Sequence, residues 1–514
     1  MAIVTRPEPS APVRVEPFDQ FNQQLVANVH PPDWVDPEPK ERYHLVVIGA
    51  GTAGLVSAAI AAGLGARVAL VERHLMGGDC LNVGCVPSKG IIGAARAWRA
   101  AADASRAFAG PRLAGGGSFP EVMARMRRIR AGLSRLDSAA RFRDLGVDVF
   151  LGEARFVAPD AALVNGRSLR FRRAVIATGA RAAAPPIPGL DGAGYLTNET
   201  VFSLTELPEH LVVLGAGPIG CELAQAFARL GARVTLINRD ARILPREDAD
   251  AAQVIERVME RDGVRLLHQA RVSRIESRAQ QRIVLVEREG RSEEVAGDQL
   301  LVAVGRAPNV EGLGLEEAGV RYDGTGVAVD DRLRTSNPRI YAVGDISSAH
   351  KFTHAADAQA RLVIGNALFF GLGGGRVSQL VMPWVTYTSP EVAHVGLDER
   401  EAAAGHEVHT ITVPLHDVDR AVLDGQDEGF LRVRLRKGTD KILGATLVAE
   451  HAGEMIGELT VAMTNGLGLA RVGAAIHSYP TQAEVFRKAA DAWRRTRLTP
   501  LAKRAFAGFF RIFR

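Results

Sequence analysis

Two cysteines, Cys80 and Cys85, lie five positions apart in the stretch GGDCLNVGCVPSKG. The chain has only three cysteines in 514 residues, too few for the disulfide framework of a secreted protein. A cross-link over so short a loop would also remove little conformational entropy from the unfolded chain. The pair therefore indicates reversible thiol–disulfide chemistry. The third cysteine, Cys221, lies in an apolar helical segment, where we expect a small packed side chain.

A glycine-rich βαβ pattern precedes the cysteine pair, beginning at Tyr43 with the sequence YHLVVIGAGTAGLVSAAIAAGLGARVALVER. In Gly49-x-Gly51-x-x-Gly54 the glycines permit a tight turn, a close approach of a pyrophosphate and the packing of the helix on the strand. The helix N-terminus would then face the phosphates. Glu72 follows at the end of the second strand, where a carboxylate can accept hydrogen bonds from both ribose hydroxyls. This segment predicts a dinucleotide-binding unit.

The same pattern returns later in the chain as HLVVLGAGPIGCELAQAFARLGARVTLINRD, with glycines at Gly215, Gly217 and Gly220. At the position that corresponds to the first acid stands Asn238, and Arg239 and Arg242 follow it. An acid would repel a 2′-phosphate, whereas arginine can bind one with two hydrogen bonds. The sequence therefore favours NADPH over NADH, the alternative being that both arginines are solvated surface groups.

The length predicts three to four domains, and 47% hydrophobic with 24% charged residues can build several cores. Repeated proline makes residues 1–42 an irregular arm, which we expect to lie on the body as a strap. The Ala- and Arg-rich segment from Ile91 to Leu145 has helical periodicity, broken by a loop at Gly115–Ser118. From Pro383 onward, alternating strands followed by helices are typical of an α+β domain.

The formal net charge is +5, and part of the positive excess is local. Residues 487–514 contain nine Lys or Arg and only one acidic residue, Asp491. The sequence contains no run of about 18 apolar residues, so we expect no membrane-spanning helix. The first 40 residues lack the apolar segment of a secretory signal. We therefore expect a cytoplasmic protein, in which a cysteine pair can cycle between its redox states.

The basic tail, TRLTPLAKRAFAGFFRIFR, alternates basic and aromatic residues at roughly helical spacing. Three interpretations stay open. Residues 490–514 could lie on an anionic membrane surface, which would make the protein membrane-peripheral, could pack on a partner subunit, or could form a solvated terminus. Nucleic-acid binding is disfavoured, because the aromatic residues cluster with Leu and Ile and do not form a base-stacking platform.

Five motifs carry a resemblance to a known family: GGDCLNVGCVPSK, ATGA, VGRAPN, YAVGDI and HSYPTQAE. In this order, over about residues 43–490, they resemble the flavoprotein disulfide reductases, which include glutathione reductase, dihydrolipoamide dehydrogenase and mercuric reductase. The resemblance implies a homodimer of α/β fold, with two Rossmann-like domains for FAD and NAD(P)H and a C-terminal α+β dimerisation domain. The implied divisions are an extension at 1–42, the FAD domain at 43–192 and 321–382, the NAD(P) domain at 193–320, the dimerisation domain at 383–490 and a basic amphipathic tail at 491–514.

The resemblance also implies roles for individual residues. Electrons would pass from NADPH through FAD to the Cys80–Cys85 disulfide, with Cys85 as the flavin-side thiolate and Cys80 as the sulfur that attacks the substrate. Lys89, paired with Glu222, would lie near the reactive flavin nitrogen, the alternative being a purely structural ion pair. The remaining implied cofactor contacts are Ala154, Thr178 and Gly179 along the FAD, Asp345 at its ribityl or pyrophosphate region, and Gly305 near the nicotinamide.

The chain departs from this family at the residue before a C-terminal proline. Disulfide-reducing relatives carry there a histidine that moves protons to the leaving thiol, oriented by a downstream glutamate. Here the residue is Tyr479, while His477 stands two positions earlier and Glu484 is retained. A phenol with a pKa near 10 is a poor base at neutral pH, whereas an imidazole near 6.5 is suited to the task. His477 could replace the missing base only if the loop shifted.

Mercuric reductases resemble this chain in lacking that histidine and in using tyrosines near the metal. They usually also carry a C-terminal pair of adjacent cysteines, and no cysteine follows Cys221 here. We therefore predict a mercuric-reductase-like enzyme whose electron acceptor is a soft metal ion or a small thiol oxidant. Two alternatives stay open: a dihydrolipoamide-dehydrogenase- or glutathione-reductase-like disulfide reductase, and a membrane-peripheral redox sensor.

Overall fold

A computed structural model describes residues 13–111, 115–369, 373–405 and 407–512. The predictions made above for residues 1–12 of the arm and 513–514 of the tail lie outside these ranges.

The arm contains a helix, α1 (Gln20–Val29), where the sequence predicts irregular chain. The helix forms because no proline stands between Pro17 and Pro31, and because the Asp19 side chain accepts hydrogen bonds from the first free backbone N–H groups. Its apolar side chains are buried, and Asn28 donates to Ser134 Oγ at 2.8 Å. The arm therefore lies on the body of the protein.

The first dinucleotide-binding segment contains most of the elements that surround the cysteine pair. Its elements are β1 (Tyr43–Ile48), α2 (Thr52–Gly63), β2 (Val68–Glu72), α3 (Gly78–Asn82), α4 (Cys85–Ala107), α5 (Phe119–Leu133), α6 (Ala139–Asp144), β3 (Val147–Leu151), β4 (Ala154–Ala158), β5 (Ala161–Val164), β6 (Arg167–Ile176) and β7 (Ala180–Ala182). Helices α4, α5 and α6 correspond to the helical periodicity of residues 91–145.

The second segment repeats the βαβ arrangement, and the chain then returns to the first sheet. The elements of the second segment are β8 (His210–Leu214), α7 (Pro218–Arg229), β9 (Arg233–Ile237), α8 (Ala249–Arg261), β10 (Val264–Leu267), β11 (Arg271–Arg278), β12 (Gln281–Arg288), β13 (Arg291–Gly297), β14 (Gln299–Val302) and β15 (Arg306–Pro308). The return contains β16 (Tyr322–Asp323), β17 (Gly326–Val327), β18 (Ile340–Ala342) and α9 (Thr353–Leu368).

The last part of the chain forms a separate antiparallel sheet with helices on it. Its elements are β19 (Pro383–Thr386), β20 (Glu391–Gly396), α10 (Glu399–Ala403), β21 (Val408–Pro414), α11 (Asp419–Leu423), β22 (Phe430–Arg436), β23 (Ile442–Ala449), α12 (Ala452–Thr464), α13 (Leu469–Val472), α14 (Glu484–Thr496) and α15 (Pro500–Ile512). Short 3-10 helices connect elements at Ser134–Asp137, Val201–Ser203, Gly344–Ile346, Val377–Gln379 and Leu415–Asp417.

The glycine turns lie on two sheets, of which the second is parallel throughout and the first is parallel except at its antiparallel strands β5 and β4. The first sheet has the order β3-β2-β1-β6-β5-β4, with β18 beside β6, and the second has the order β10-β9-β8-β14. Strand β15 pairs with β7 and so joins the two segments. Each glycine turn follows the first strand of its sheet, where ligands of such folds bind. The predicted pair of Rossmann-like domains is confirmed.

The third sheet has the order β19-β20-β23-β22-β21 and is antiparallel throughout. Leu447, Leu459 and Phe486 belong to the apolar core between this sheet and the helices α12 and α14. The predicted α+β arrangement from Pro383 onward is confirmed. Over the residues that the structure describes, no helix is both long and apolar enough to cross a bilayer.

Candidate active site

A cavity of about 2500 Å³ opens at the carboxyl ends of the parallel strands of the first two sheets. Most residues singled out in the sequence line it: Gly49, Gly51, Glu72, Cys80, Cys85, Lys89, Ala154, Thr178, Gly179, Gly215, Gly217, Glu222, Arg239, Gly305 and Asp345. Gly54 and Gly220 lie one layer behind, packed on the carbonyl oxygens of Gly49 and Gly215. Arg242, His477, Tyr479 and Glu484 do not line the cavity.

The first glycine turn fits the dinucleotide FAD. A methyl group on Gly54 would lie 1.8 Å from the Gly49 oxygen, and one on Gly78 would lie 2.6 Å from Gly51 Cα. Side chains are therefore excluded where a pyrophosphate must approach the start of α2. Glu72 Oε2 accepts from the Ala50 N–H at 2.7 Å, and burial raises the pKa of this carboxyl group. The acid is thus fixed beside the turn.

The two thiols divide one proton between them. Cys85 is the first residue of α4, its Sγ lies 3.4 Å from Thr353 Oγ1, and it shares a hydrogen bond with Cys80. That bond lowers the pKa of Cys85 to about 6, with further lowering by Thr353 and by the charge of Lys89, against the opposing effect of burial. The same bond, together with burial, raises the pKa of Cys80. The arrangement favours a thiolate at Cys85 and a protonated Cys80.

An ion pair between Lys89 on α4 and Glu222 on α7 of the second segment stands beside the thiols. Lys89 Nζ lies 2.8 Å from Glu222 Oε2, and the other carboxylate oxygen accepts from the Tyr387 N–H at 2.9 Å. The ammonium group also lies 4.4 Å from the centre of the Tyr387 ring. Burial alone would lower the pKa of Lys89, but Glu222 outweighs it and the pKa is raised. Lys89 therefore stays positively charged next to Cys85.

Arg306 joins the cysteine helix α3 to the predicted flavin-binding acid. It donates to Asp79, which precedes Cys80, and to the Ala180 carbonyl at 2.7 Å, and its Nε lies 3.4 Å from Asp345 Oδ2. Burial raises the pKa of Asp345. Sequence reasoning chose the neighbouring Gly305 and missed this arginine, although both stand in the VGRAPN motif.

Two further side chains at the site were not predicted. Thr353 begins α9, and Tyr387 follows β19, so both come from segments far from the cysteines along the chain. Neither lies in a motif with a recognisable chemical pattern. Only the folded chain brings them to the sulfur and the ammonium group.

Of the two arginines predicted to bind a 2′-phosphate, Arg239 lines the cavity and Arg242 does not. The Asn238 side chain is buried and donates to the carbonyls of Asp240 and Arg242. Arg239 lies at the cavity edge with its side chain 86% exposed, 3.8 Å from Asp240. Arg242 instead donates to the Glu247 carbonyl at 3.2 Å. The structure therefore separates the two arginines that the sequence grouped.

The C-terminal residues of the expected proton relay belong to the third sheet domain and do not line the cavity, and of the three only Tyr479 is exposed. Tyr479 is 69% exposed and donates to Asp419 at 2.9 Å, a bond that raises its pKa. His477 Nε2 lies 2.8 Å from Glu458, with the ring packed near Phe486. Glu484 is buried and paired with Arg487. Within one chain none of these three reaches the thiols.

The remaining candidate groups are structural. Cys221 is fully buried, with its Sγ 3.4 Å from the Ala216 carbonyl, as expected for a packed side chain. Within the described ranges, no three His, Cys, Asp or Glu side chains are grouped so that they could hold a metal ion. The chemistry of the cavity therefore centres on the thiol pair.

Comparisons with known proteins agree with this geometry. The family model described as pyridine nucleotide-disulphide oxidoreductase matches residues 43–360, and the model of that family's dimerisation domain matches residues 382–490. The mercuric reductase of Staphylococcus aureus is 33% identical over 92% of this chain and 88% of its own length. The dihydrolipoyl dehydrogenase of Bacillus subtilis is 30% identical over 87% and 97%.

A solved structure is similar over most of its length. The Cu(II) complex of the HOCl-induced flavoprotein disulfide reductase RclA from Escherichia coli matches with a TM-score of 0.76 and 30% identity. The match covers 86% of this chain and 98% of RclA.

Proposed function

Since the chain belongs to the pyridine nucleotide-disulphide oxidoreductase family, we propose that it is a homodimeric, NADPH-dependent enzyme whose Cys80–Cys85 dithiol reduces a soft metal ion such as Hg(II). The family binds FAD and a pyridine nucleotide. FAD, when bound, supplies the two-electron link between the nicotinamide and the disulfide. A cytoplasmic location accords with the supply of reduced nucleotide and with a cycling thiol pair.

The position of Tyr479 carries the choice of acceptor. Reduction of a disulfide releases a thiolate that a nearby acid must protonate. Tyr479 stands where relatives place an imidazole, and its bond to Asp419 raises the pKa of the phenol further. A soft metal ion held by Cys80 and Cys85 takes two electrons from their sulfurs, which close to the disulfide, so no leaving thiolate has to be protonated in that step. The missing base is therefore less costly for a metal ion than for a disulfide.

The residues of this chain then have separable tasks. Cys85 holds the negative charge next to the flavin, and Cys80 holds the proton and meets the acceptor. Lys89 keeps a positive charge at the thiolate because Glu222 and Tyr387 fix its position. Arg306 connects Asp79 of helix α3 to Asp345, so that the thiol pair keeps its distance from the flavin site.

The acceptor is tested by anaerobic NADPH consumption with purified, FAD-loaded protein. Hg(II) in excess small thiol should be turned over by the wild type and not by Cys80→Ser, because that variant lacks the attacking sulfur. A panel of disulfides is offered separately at the same enzyme concentration. Turnover of a disulfide with none of Hg(II) would refute the proposal for the acceptor.

The nucleotide is tested by charge reversal at the cavity edge. We propose that Arg239 binds the 2′-phosphate of NADPH, because it is exposed, lines the cavity and directly follows Asn238 at the end of β9. Arg239→Glu should raise the KM for NADPH about tenfold or more and leave the KM for NADH nearly unchanged. Arg242→Glu is the matched control and should change the ratio of the KM for NADPH to the KM for NADH less. Equal effects of Arg239→Glu on both nucleotides would contradict the assignment.

A disulfide reductase is the second candidate, and the His477–Glu458 pair favours it. An imidazole 2.8 Å from a carboxylate is the arrangement of an oriented base. This base serves the thiols only if His477 of one subunit reaches Cys80 of the other. His477→Gln should then abolish disulfide turnover and leave Hg(II) turnover intact, whereas unchanged disulfide turnover would exclude the pair from the chemistry.

A further inference from the structure

The tail helix α15 has one apolar side and one basic side, and nearly all of its described residues are exposed. Leu501, Ala505, Phe509 and Ile512 follow each other at spacings of three or four residues, the spacing of one helix face. Phe506 and Phe510 extend this apolar side as far as Lys503. On the opposite side stand Lys503, Arg504 and Arg511. In the described part of the tail no residue of α15 is buried.

The exposure of the apolar side is large. Leu501 is 77% exposed, Ile512 is 79% exposed and Phe506 is 54% exposed. Exposed apolar groups of this size on one side of a helix mark a surface that another body covers. The helix is also ordered at its start, since Thr499 Oγ1 accepts from the Ala502 N–H at 3.2 Å.

The charge of the region indicates the chemistry of the surface that covers the helix. From Arg494 to Arg511 the chain has six Lys or Arg and no Asp or Glu. Long basic side chains can bind phosphate groups while their stems and an apolar helix side enter the boundary of the acyl chains. Three of the six, Lys503, Arg504 and Arg511, lie on α15, and basic residues on and beside an amphipathic helix favour binding to anionic lipid.

A partner subunit fits this helix less well. The dimerisation family model ends at residue 490, ten residues before α15 begins. Contact of α15 with its own copy across a twofold axis would bring the like charges of two basic helices together. We therefore propose that α15 docks the enzyme on the surface of an anionic lipid bilayer. This docking is independent of the electron acceptor.

The test is co-sedimentation of the FAD-loaded full chain with vesicles. Vesicles of phosphatidylcholine with phosphatidylglycerol should bind the protein, and vesicles of phosphatidylcholine alone should bind it at least about tenfold more weakly. Added salt should weaken the binding. Equal binding to both kinds of vesicle, or binding to neither, would overturn the proposal.

Two double variants separate the sides of the helix. Leu501→Ser with Phe506→Ser removes apolar area, and Lys503→Glu with Arg504→Glu reverses charge; each should weaken binding to the anionic vesicles about tenfold or more. The matched controls are Leu64→Ser with Leu136→Ser and Arg172→Glu with Arg339→Glu, which change exposed residues elsewhere. Losses as large in the controls would show that the tail is not the docking site.

The oligomeric state decides between the lipid and a second subunit. Light scattering after size-exclusion chromatography should give the same mass for the wild type, for Leu501→Ser with Phe506→Ser, and for a chain that lacks residues 499–514. NADPH oxidation in solution should also be unchanged in these variants, since α15 lies outside the cavity. A fall to monomer mass in either variant would mean that α15 packs on the partner, and the proposal would be wrong.

Discussion

At the scale of single residues, the thiolate of Cys85 depends on donors from three separate segments. Cys80 donates from α3, Thr353 lies at the start of α9, and Lys89 stands one turn further along α4. The N-terminus of α4 adds the positive end of its dipole. Burial alone would favour the neutral thiol, so the donors must outweigh it. The charge is therefore sensitive to changes at any of these positions.

Opposite changes of the ion pair should move this charge in opposite directions. Lys89→Gln removes the cation and should raise the pKa of Cys85, whereas Glu222→Gln removes an anion that raises it and should lower the pKa. The measurement is the rate of alkylation of the Cys85 peptide of the reduced protein against pH, by mass spectrometry. Near pH 6 the rate should fall several-fold for Lys89→Gln and rise for Glu222→Gln. Shifts in the same direction would contradict the assignment of charge.

Thr353 offers a test that leaves all formal charges in place. Thr353→Val removes the hydroxyl 3.4 Å from Cys85 Sγ and should raise the pKa of this thiol, while Thr353→Ser keeps the donor and is the control. A group with a lowered pKa is charged above that value, so the thiolate of the wild type is lost as the pH falls through about 6. The readout is the long-wavelength absorbance of the flavin–thiolate contact in the two-electron-reduced enzyme. In the wild type this absorbance should be lost as the pH falls through about 6, and in Thr353→Val it should be lost at a higher pH. Identical titrations of valine and serine variants would exclude a role for the hydroxyl.

At the scale of elements, the sequence predicts the parts whose signals are local. The glycines near Gly49 and Gly215 stand next to their strands and helices, so both βαβ units could be predicted. Helix α1 was missed because the prolines around it dominate the composition, while its signal is the single cap Asp19. Thr353, Tyr387 and Arg306 were missed because contacts between distant segments leave no spacing in the sequence.

The contact between α3 and the first glycine turn sets the distance from the thiols to the dinucleotide site. Gly78 has φ +56°, and a methyl group on it would lie 2.6 Å from Gly51 Cα. Gly78→Ala should therefore separate α3 from the turn, weaken the retention of FAD and cost about 1–3 kcal/mol in the free energy of unfolding. The readouts are the flavin content after purification and the thermal unfolding temperature.

Gly93→Ala is the matched control for that substitution. Gly93 lies within α4, and a methyl group there has no atom within 4 Å, so alanine should stabilise the helix by about 0.5–1 kcal/mol. Equal flavin content in Gly78→Ala and Gly93→Ala would show that the close approach of α3 to the first glycine turn does not affect the retention of FAD.

At the scale of the whole molecule, a buried acid connects the second dinucleotide domain to the third sheet. Asp248 precedes α8, is buried, and pairs with Arg434 and, at 3.1 Å, with Arg432 on β22. The Arg434 side chain is only 3% exposed, so it has little access to water if the acid is lost. This pairing fixes the domain that carries Glu222 relative to the domain that carries Tyr387, and the position of Lys89 depends on both.

Loss of this acid should destabilise the protein strongly. Asp248→Asn leaves a buried guanidinium group without its counter-charge and should cost about 3–5 kcal/mol. The exposed pair of Arg265 and Glu293 is the control, and Glu293→Gln should cost less than about 1 kcal/mol. Guanidinium titration and thermal unfolding of the FAD-loaded protein measure both variants. Similar costs for the two substitutions would mean that the buried pair does not join the domains.

The same pair gives the sign of a pH dependence. Burial works to raise the pKa of Asp248, but the hydrogen bond from Arg434 and the charges of both arginines outweigh it, so the pKa in the folded protein is lowered. Such a group contributes stability above its unfolded pKa of about 4, and the contribution is lost as the pH falls through the folded value. The difference in stability between wild type and Asp248→Asn should therefore be full at neutral pH and shrink below about pH 4. If the difference in stability between wild type and Asp248→Asn grew as the pH fell, the pKa of Asp248 would be raised in the folded protein. The carboxylate would then not be what pairs with the two arginines across the domains.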